Sequence, residues 1–129
     1  MTGYSVDIER TTEENGYFRH VLHTAGHMQL VVMSLLPRED IGQEMHPDVD
    51  QFIRIEEGHG EAILNGTSYK LSEGMAIIIP AGTEHNVINT SHDKPMRLYT
   101  IYSPPNHADG TIHRTKADAE AYELAAHAR

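Results

Sequence analysis

Short runs of hydrophobic residues, many alternating with polar ones, are separated by turn residues along most of the chain. Residues 51–56, QFIRIE, alternate in the manner of a half-buried strand. Residues 17–23 and 27–36 are rich in branched and aromatic side chains, and residues 75–79, MAIII, form an apolar run that ends at Pro80. Because strand-like runs recur at short intervals, the sequence predicts an all-β antiparallel sandwich or small barrel.

A hairpin signal and two further strands extend this pattern. Asn65–Gly66 stands between the runs EAIL and TSYKL, and Asn-Gly between short apolar runs is typical of a β-hairpin. Residues 85–89, HNVIN, and 96–103, MRLYTIYS, are predicted to be the last two strands. The alternate positions that we expect to face the interior are Ile53, Ile55 and Val87.

The character of the chain changes after Pro104–Pro105. Residues 116–127 are rich in Ala and Glu, and Thr115 with Asp118 matches a capping box, so we predict a C-terminal helix over about 116–127. Its apolar residues do not form one stripe, which predicts a loosely attached helix. The residues expected to be partly buried are Ala119, Tyr122, Leu124 and Ala126.

We expect one domain over residues 1–129, with the barrel core at about 17–103 and a loop plus helix at 104–129. The segment before Tyr17 is too polar to be expected to hold itself against the barrel. Edge strands and an apolar outer face are commonly covered by a second copy, so we predict a homodimer formed through the early strands.

Composition restricts the possible partners. The 129 residues include 10 Lys and Arg against 19 Asp and Glu, for a net charge of −9, which argues against nucleic acids and anionic membranes as partners. The absence of cysteine excludes thiolate zinc sites and thiol nucleophiles. Neither a signal peptide nor an apolar stretch of about 18 residues is found. We therefore expect a cytoplasmic protein that binds a small molecule.

The stretch EMHPDVDQF, residues 44–52, concentrates possible metal ligands. Glu44 and His46 share a face if the segment is extended, because side chains alternate along a strand. Gln51 begins the next strand, on the face that continues with Ile53. Polar groups at the end of an apolar barrel interior are a suitable setting for a buried metal site.

A second stretch, GMAIIIPAGTEHNVIN at residues 74–89, resembles a known motif. Gly74, Pro80, Gly82, His85 and Asn89 match every fixed position of the second cupin motif. His85 is placed at the start of a strand, opposite the segment that carries Glu44 and His46.

The first cupin motif, usually Gly, five residues, His-x-His, three or four residues, Glu, six residues and Gly, is present in altered form. His46 stands at its second His and Gly58 at its end, while Glu44 replaces the first His and Gln51 replaces the Glu. The resemblance covers about residues 27–103. The chain also looks like a group of small bacterial single-domain cupins, sometimes loosely named after mannose-6-phosphate isomerase.

The resemblance implies an antiparallel cupin β-barrel, also called a double-stranded β-helix or jelly roll, with a short C-terminal helix. It also implies a divalent transition metal, namely Mn, Fe or Zn, held by Glu44, His46, Gln51 and His85. Two histidines and one carboxylate make the set associated with non-haem Fe(II). Gln51 is either a direct ligand or a residue that orients a ligating histidine by a hydrogen bond.

Three functions remain open from the sequence. An isomerase, epimerase or lyase acting on a sugar-like or acid-like substrate requires a free base, and Glu44 is the candidate if it does not bind the metal. If Glu44 does bind the metal, a non-haem Fe(II) dioxygenase is favoured. The third function is a non-catalytic small-molecule binder. Tyr99 is a second catalytic candidate, because either Tyr99 or Tyr102 is expected to point into the pocket.

Overall fold

A computed structural model describes residues 2–127 as nine strands and two helices. In chain order these elements are α1 Ile8–Glu14, β1 Arg19–Thr24, β2 Gln29–Leu35, β3 Asp50–Glu57, β4 His59–Leu64, β5 Thr67–Ser72, β6 Ala76–Ile79, β7 His85–Asn89, β8 Met96–Ser103, β9 Ile112–His113 and α2 Lys116–His127. Every strand run predicted from the hydrophobic pattern is present. Across residues 2–127, no helix has the length and apolarity needed to cross a membrane.

The strands form two antiparallel sheets. The larger has the order β6-β3-β8-β2-β1-β9 and the smaller the order β5-β4-β7. Single bridges from Asp40 to Ile88 and from Glu44 to His85 add the segment between β2 and β3 to the edge of the smaller sheet. The predicted all-β jelly roll is confirmed, although within the described part of the chain it consists of two facing sheets and not one sheet closed on itself.

The core lies between the two sheets. Ile53, Ile55 and Val87 are at most 1% exposed, which confirms the predicted inward positions. Full burial of one such side chain contributes about 1.5–3 kcal/mol relative to an exposed one. On β8 the inward residues are every second one: Met96, Leu98, Thr100 and Tyr102.

The backbone conformation of two turns explains why Asn-Gly and Gly stand at these positions of the sequence. Asn65 and Gly66 both have positive φ, at 46° and 83°, as a tight hairpin turn demands, so the predicted hairpin is confirmed. Gly58, between β3 and β4, has φ +87°, and a Cβ there would overlap the carbonyl oxygen of Pro95. Only glycine fits both restrictions at this position.

The expectation that the segment before Tyr17 does not pack is wrong. Helix α1 is capped by Asp7, which accepts a hydrogen bond from the backbone N–H of Arg10 at 3.2 Å. Thr12 is fully buried, and its hydroxyl donates to the carbonyl of Ile8 at 2.7 Å. The hydrophobic pattern could not reveal this helix, because the side chain that it buries is polar and satisfies its own hydrogen bond.

Helix α2 has the predicted bounds and the predicted cap, since the N–H of Asp118 donates to Thr115 Oγ1 at 3.1 Å. The expected burial is largely wrong: only Ala119, 4% exposed, joins the core. The helix is instead fastened at its first turn by an ion pair between Lys116 and Asp40. The other residues expected to be partly buried are exposed: Tyr122, Leu124 and Ala126.

Candidate metal centre

Backbone pairing brings Glu44 and His85 side by side. The N–H of each donates to the carbonyl of the other at 2.8 Å. The carbonyl of His46 accepts a hydrogen bond from the N–H of Gly82 at 2.8 Å, so the PAG turn of the second motif is tied to the first. The placement of His85 opposite the Glu44–His46 segment follows the sequence expectation. Two motifs that are distant in sequence therefore meet at one end of the space between the sheets.

The side chains at this end are close enough to interact. Glu44 Oε2 lies 3.2 Å from His46 Nε2, and the imidazole rings of His46 and His85 have centroids 5.4 Å apart. Burial raises the pKa of Glu44, but the hydrogen bond with His46 and the nearby charge of Arg19 outweigh it, so that pKa is below its ordinary value. Glu44 is therefore an ionised, hard oxygen donor at neutral pH.

His85 is oriented as metal-binding histidines usually are. Its Nδ1 donates to the carbonyl oxygen of Thr83 at 2.9 Å, and the residue is 5% exposed. A carbonyl can only accept, so Nδ1 carries the proton and Nε2 carries the lone pair. A hydrogen bond of this kind fixes both the tautomer and the ring orientation of a ligand.

Gln51 provides the most specific indication of a bound group. Its amide nitrogen donates to Thr100 Oγ1 at 3.0 Å. Its side-chain oxygen, Oε1, is buried and has no hydrogen-bond partner among residues 2–127. Buried polar atoms are almost always paired, and an orphan calls for an explanation such as an ion. An amide carbonyl oxygen is a suitable ligand for hard divalent ions, so the residues present fit the metal that the motifs imply.

Metal binding requires the side chains of Glu44, His46 and His85 to adjust. Bonds of about 2.0–2.1 Å put neighbouring donor atoms within about 4 Å of each other. Of the residues described, one set of three His, Asp or Glu residues has its donor atoms all within 4.8 Å, and that set lies elsewhere. Its members are exposed or half-buried: Glu9, Glu13 and Glu56. An exposed acidic cluster does not by itself form a metal site.

Sequence reasoning missed His107, which reaches the site from the loop after β8. Both backbone polar groups of His107 bond to the side chain of Gln29, which is fully buried on β2. The ring packs edge-on against Tyr102 at 5.0 Å, and Tyr102 packs edge-on against His46 at 6.1 Å. Burial lowers the pKa of His107 to about 3, and its Nε2 is buried without a hydrogen-bond partner. The available signal was the histidine in SPPNHADG, just after the last long strand.

Tyr99 is not brought to the other predicted residues. In the alternation of β8, Tyr99 lies on the opposite face of the strand from Thr100 and Tyr102. Its ring lies 6.2 Å from that of Phe52. Of the two tyrosines considered, Tyr102 is the one beside the histidines. Asn89, fully buried, donates to three backbone carbonyls and has a structural role.

Two adjacent cavities open onto Glu44. One, of about 420 Å³, is also lined by His46, His107 and His113, with residues of α2 on its far side. The other, of about 440 Å³, is lined by Arg19 and the first two turns of α2. A larger cavity, of about 770 Å³, contains none of the predicted site residues and is lined by Glu57, His59 and Arg97 among others. The chemistry-bearing side chains mark the first two as the candidate site.

Comparison with known proteins agrees with this architecture. The chain is 49% identical over 126 residues to the uncharacterized protein YrkC of Bacillus subtilis, covering 93% of this chain and 67% of that protein. The crystal structure of BH2720 from Bacillus halodurans superposes with a TM-score of 0.90 at 44% identity, covering 93% of this chain and 95% of that one. KdgF from Halomonas, at 22% identity, has a TM-score of 0.64 over 72% of this chain and 84% of that one, and shares the fold.

Residues 31–102 match the cupin domain family Cupin_2. The match covers more than half of the chain and includes both motifs. It extends from β2 to the end of β8, the part of the jelly roll that holds Glu44, His46, Gln51 and His85. The chain is thus a member of the cupin family.

Proposed function

We propose that this cupin binds a divalent transition metal and is a small metalloenzyme acting on a small polar substrate, acid-like or sugar-like. The observation that carries the proposal is the buried, unpartnered Oε1 of Gln51, at the strand position paired with Tyr102, whose ring packs edge-on against His46. The residues that would hold the metal are Glu44, His46, Gln51 and His85, with Mn, Fe or Zn as candidates. When bound, such an ion polarises a carbonyl or hydroxyl oxygen.

The proposal also needs a proton-transfer group among the residues that do not bind the metal. Isomerase, epimerase and lyase reactions need a proton-transfer group that is not a metal ligand. In this proposal His107 takes the role that the sequence assigned to Tyr99, because its unpartnered Nε2 belongs to the same cavity wall as His46. A neutral imidazole that accepts a proton from the substrate becomes an imidazolium cation, which can return the proton at another position of the substrate. Tyr102 stays protonated, since burial raises its pKa.

Whether Glu44 is a metal ligand or a free base bears on the choice between the proposed function and its main alternative. Its contact with His46 at 3.2 Å and its lowered pKa favour a ligand role over that of a free base. Two histidines and one carboxylate are the ligand set of non-haem Fe(II) oxygenases, so a dioxygenase is the second candidate. Oxygen consumption by the iron-loaded protein, measured against a panel of small acids and sugars, separates the two.

Elemental analysis of purified variants tests the metal site. The wild type should retain about one metal ion per chain, and His85→Ala should lose it, because no shorter side chain reaches a bond of about 2.0–2.1 Å. Glu44→Gln should weaken binding less, since an amide oxygen still coordinates. Gln51→Leu should weaken binding as much as Glu44→Gln if Oε1 is a ligand. The exposed His92→Ala is the matched control and should keep its metal.

Thermal stability supplies an independent readout. Metal that binds only the folded state stabilises it by about 2.7 kcal/mol at a hundred times the dissociation constant. Adding metal to the chelator-treated protein should therefore raise the melting temperature of the wild type and of His92→Ala, and leave His85→Ala unchanged. Full metal retention by His85→Ala would remove the site assignment, and the non-catalytic binder would then be the leading function.

A further inference from the structure

Arg19, the first residue of β1, is a buried cation without a carboxylate partner. It is 4% exposed, and no ion pair within 4.0 Å forms to it from any residue in the range 2–127. Its Nε is buried and has no hydrogen-bond partner within the described part of the chain. Its remaining polar contact is a long one, from Nη1 to His113 Nδ1 at 3.4 Å, and its guanidinium lies 5.3 Å from the ring centre of Phe18.

A buried guanidinium in this condition is costly. Burying an unpaired charge costs several kcal/mol, so buried arginines are normally paired with acids. Arg97 shows the usual arrangement, with Nη1 at 2.7 Å from Glu57 Oε2. The sequence places no acid across the strands from Arg19, where its neighbour on β9 is His113. The nearby carboxylate of Glu44 does not approach Arg19 within 4.0 Å, so a directly paired anion is expected to come from a ligand.

The position of Arg19 links it to the candidate metal centre. Arg19 and Glu44 line the same cavity, and Glu44 also lines the neighbouring cavity with His46, His107 and His113. His113 lies beside Arg19 in the sheet and accepts from Nη1, which leaves Nε and Nη2 as the free edge of the guanidinium. That edge has the two parallel N–H groups that match a planar carboxylate.

Among the residues that line the two cavities, Arg19 is the cation available to a ligand. Lys116, which lines the second cavity, is already paired with Asp40. The acids that line the cavities are Glu44, Glu120 and Glu123. A neutral sugar would leave the guanidinium of Arg19 without an anion.

We propose that Arg19 binds the carboxylate of the substrate, so that the ligands of this site are small carboxylic acids and not neutral sugars. The proposal rests on the proposed function in taking the cavities beside Glu44 as the substrate site. In this arrangement His113 is a positioning residue. It accepts a hydrogen bond from Nη1 and so orients the guanidinium, while the edge formed by Nε and Nη2 is left for the ligand. Two parallel N–H donors can hold a carboxylate or a phosphate. The carboxylate is chosen because its single negative charge matches the one charge of Arg19, whereas a phosphate carries about −1.5 to −2 at neutral pH.

The direct test observes the Arg19 side chain by NMR. Protein labelled with ¹⁵N is titrated with glycolate, with its neutral counterpart glycolamide, and with inorganic phosphate, first metal-free and then loaded with zinc. The Arg19 Nε–H resonance, assigned by its loss in Arg19→Lys, should shift on addition of glycolate and stay in place with glycolamide. An unmoved resonance with glycolate would overturn the proposal, and a shift with phosphate alone would overturn the carboxylate class.

Variants provide the second arm, with affinity measured by calorimetry. Arg19→Gln should weaken glycolate binding at least tenfold, Arg19→Lys should weaken it less, and the control Arg97→Gln should bind as the wild type does. Equal affinity in folded Arg19→Gln and wild type would refute the proposal. If Arg19→Gln does not fold, the wild-type resonance decides.

Metal content is recorded for every sample, which separates this inference from the proposed function. Glycolate binding at Arg19 in a protein that takes up no metal would contradict the metalloenzyme and leave the carboxylate site standing. Normal metal binding without any glycolate response would contradict the carboxylate site alone.

Discussion

Acidification should destabilise the fold through His107, well above the pH at which carboxylates titrate. Burial lowers the pKa of His107 to about 3, from an ordinary value of 6.5. Between these values the unfolded chain takes up a proton at His107 and the folded protein does not. Stability is therefore fully present above about pH 6.5 and is lost progressively as the pH falls towards about 3.

The size of this effect follows from linkage. Each pH unit below about 6.5 costs about 1.4 kcal/mol for a histidine that stays neutral in the folded state. At about pH 5.0 the loss is about 2 kcal/mol, a large part of the stability of a small domain. Burial also lowers the pKa of His113, which adds a loss of the same sign. The contribution of His107 must therefore be taken from a comparison of variants.

The assay is urea unfolding of metal-free protein at several pH values from about 7.5 to about 5.0. His107→Gln removes the titrating group, so its stability should fall less steeply with pH, by about 1.4 kcal/mol per unit below about pH 6.5. The exposed His92→Gln is the control, since it leaves His107 in place. Parallel pH profiles for the wild type and His107→Gln would show that His107 is protonated in the folded protein, and would refute the reasoning.

Three further predictions concern the scaffold. Asn89→Leu should lower the free energy of unfolding by about 3 kcal/mol or more, since it leaves three backbone carbonyls without their donor; a loss of less than about 1 kcal/mol would contradict this. Deleting residues 115–129 should change the melting temperature little, because Ala119 is the residue through which α2 joins the core; collapse of the fold would show that the helix is essential. We also propose a homodimer through the β1–β9 edge, beside which Tyr17 and Ile112 are exposed, and light scattering at micromolar concentration showing a 14.5 kDa species would exclude it.

Local sequence signals were sufficient for much of the fold and for part of the site. The Asn65–Gly66 hairpin and the bounds of α2 follow from turn and cap chemistry within a few residues. The opposition of Glu44 and His85 was expected from the resemblance to the two cupin motifs. For the hairpin and the helix, the determining residues lie close together in sequence.

The remaining parts depend on long-range packing. Arg19, His107 and His113 come from β1, a loop and β9, and they meet Glu44 only because the larger sheet has the order β8-β2-β1-β9 at that side. No local pattern contains that order. The choice of Tyr102 over Tyr99 likewise required the register of β8 against its neighbours, which places Tyr102 opposite Gln29 and Gln51.

The side chain of Gln29 determines how the site can move. It donates to Thr24 Oγ1 and to the carbonyl of His107, and it accepts from the N–H groups of Asn106 and His107, at distances of 2.8–3.1 Å. The loop that carries His107 is thereby joined to the central strands and should exchange its amide hydrogens only when the sheet itself opens. Over its described residues, helix α2 is held by Ala119, by the ion pair of Lys116 with Asp40 and by a ring contact between Tyr122 and His113 at 5.3 Å, and it has no comparable set of hydrogen bonds. Ligand entry and release should therefore proceed by fluctuation of the helix, while the loop wall stays fixed.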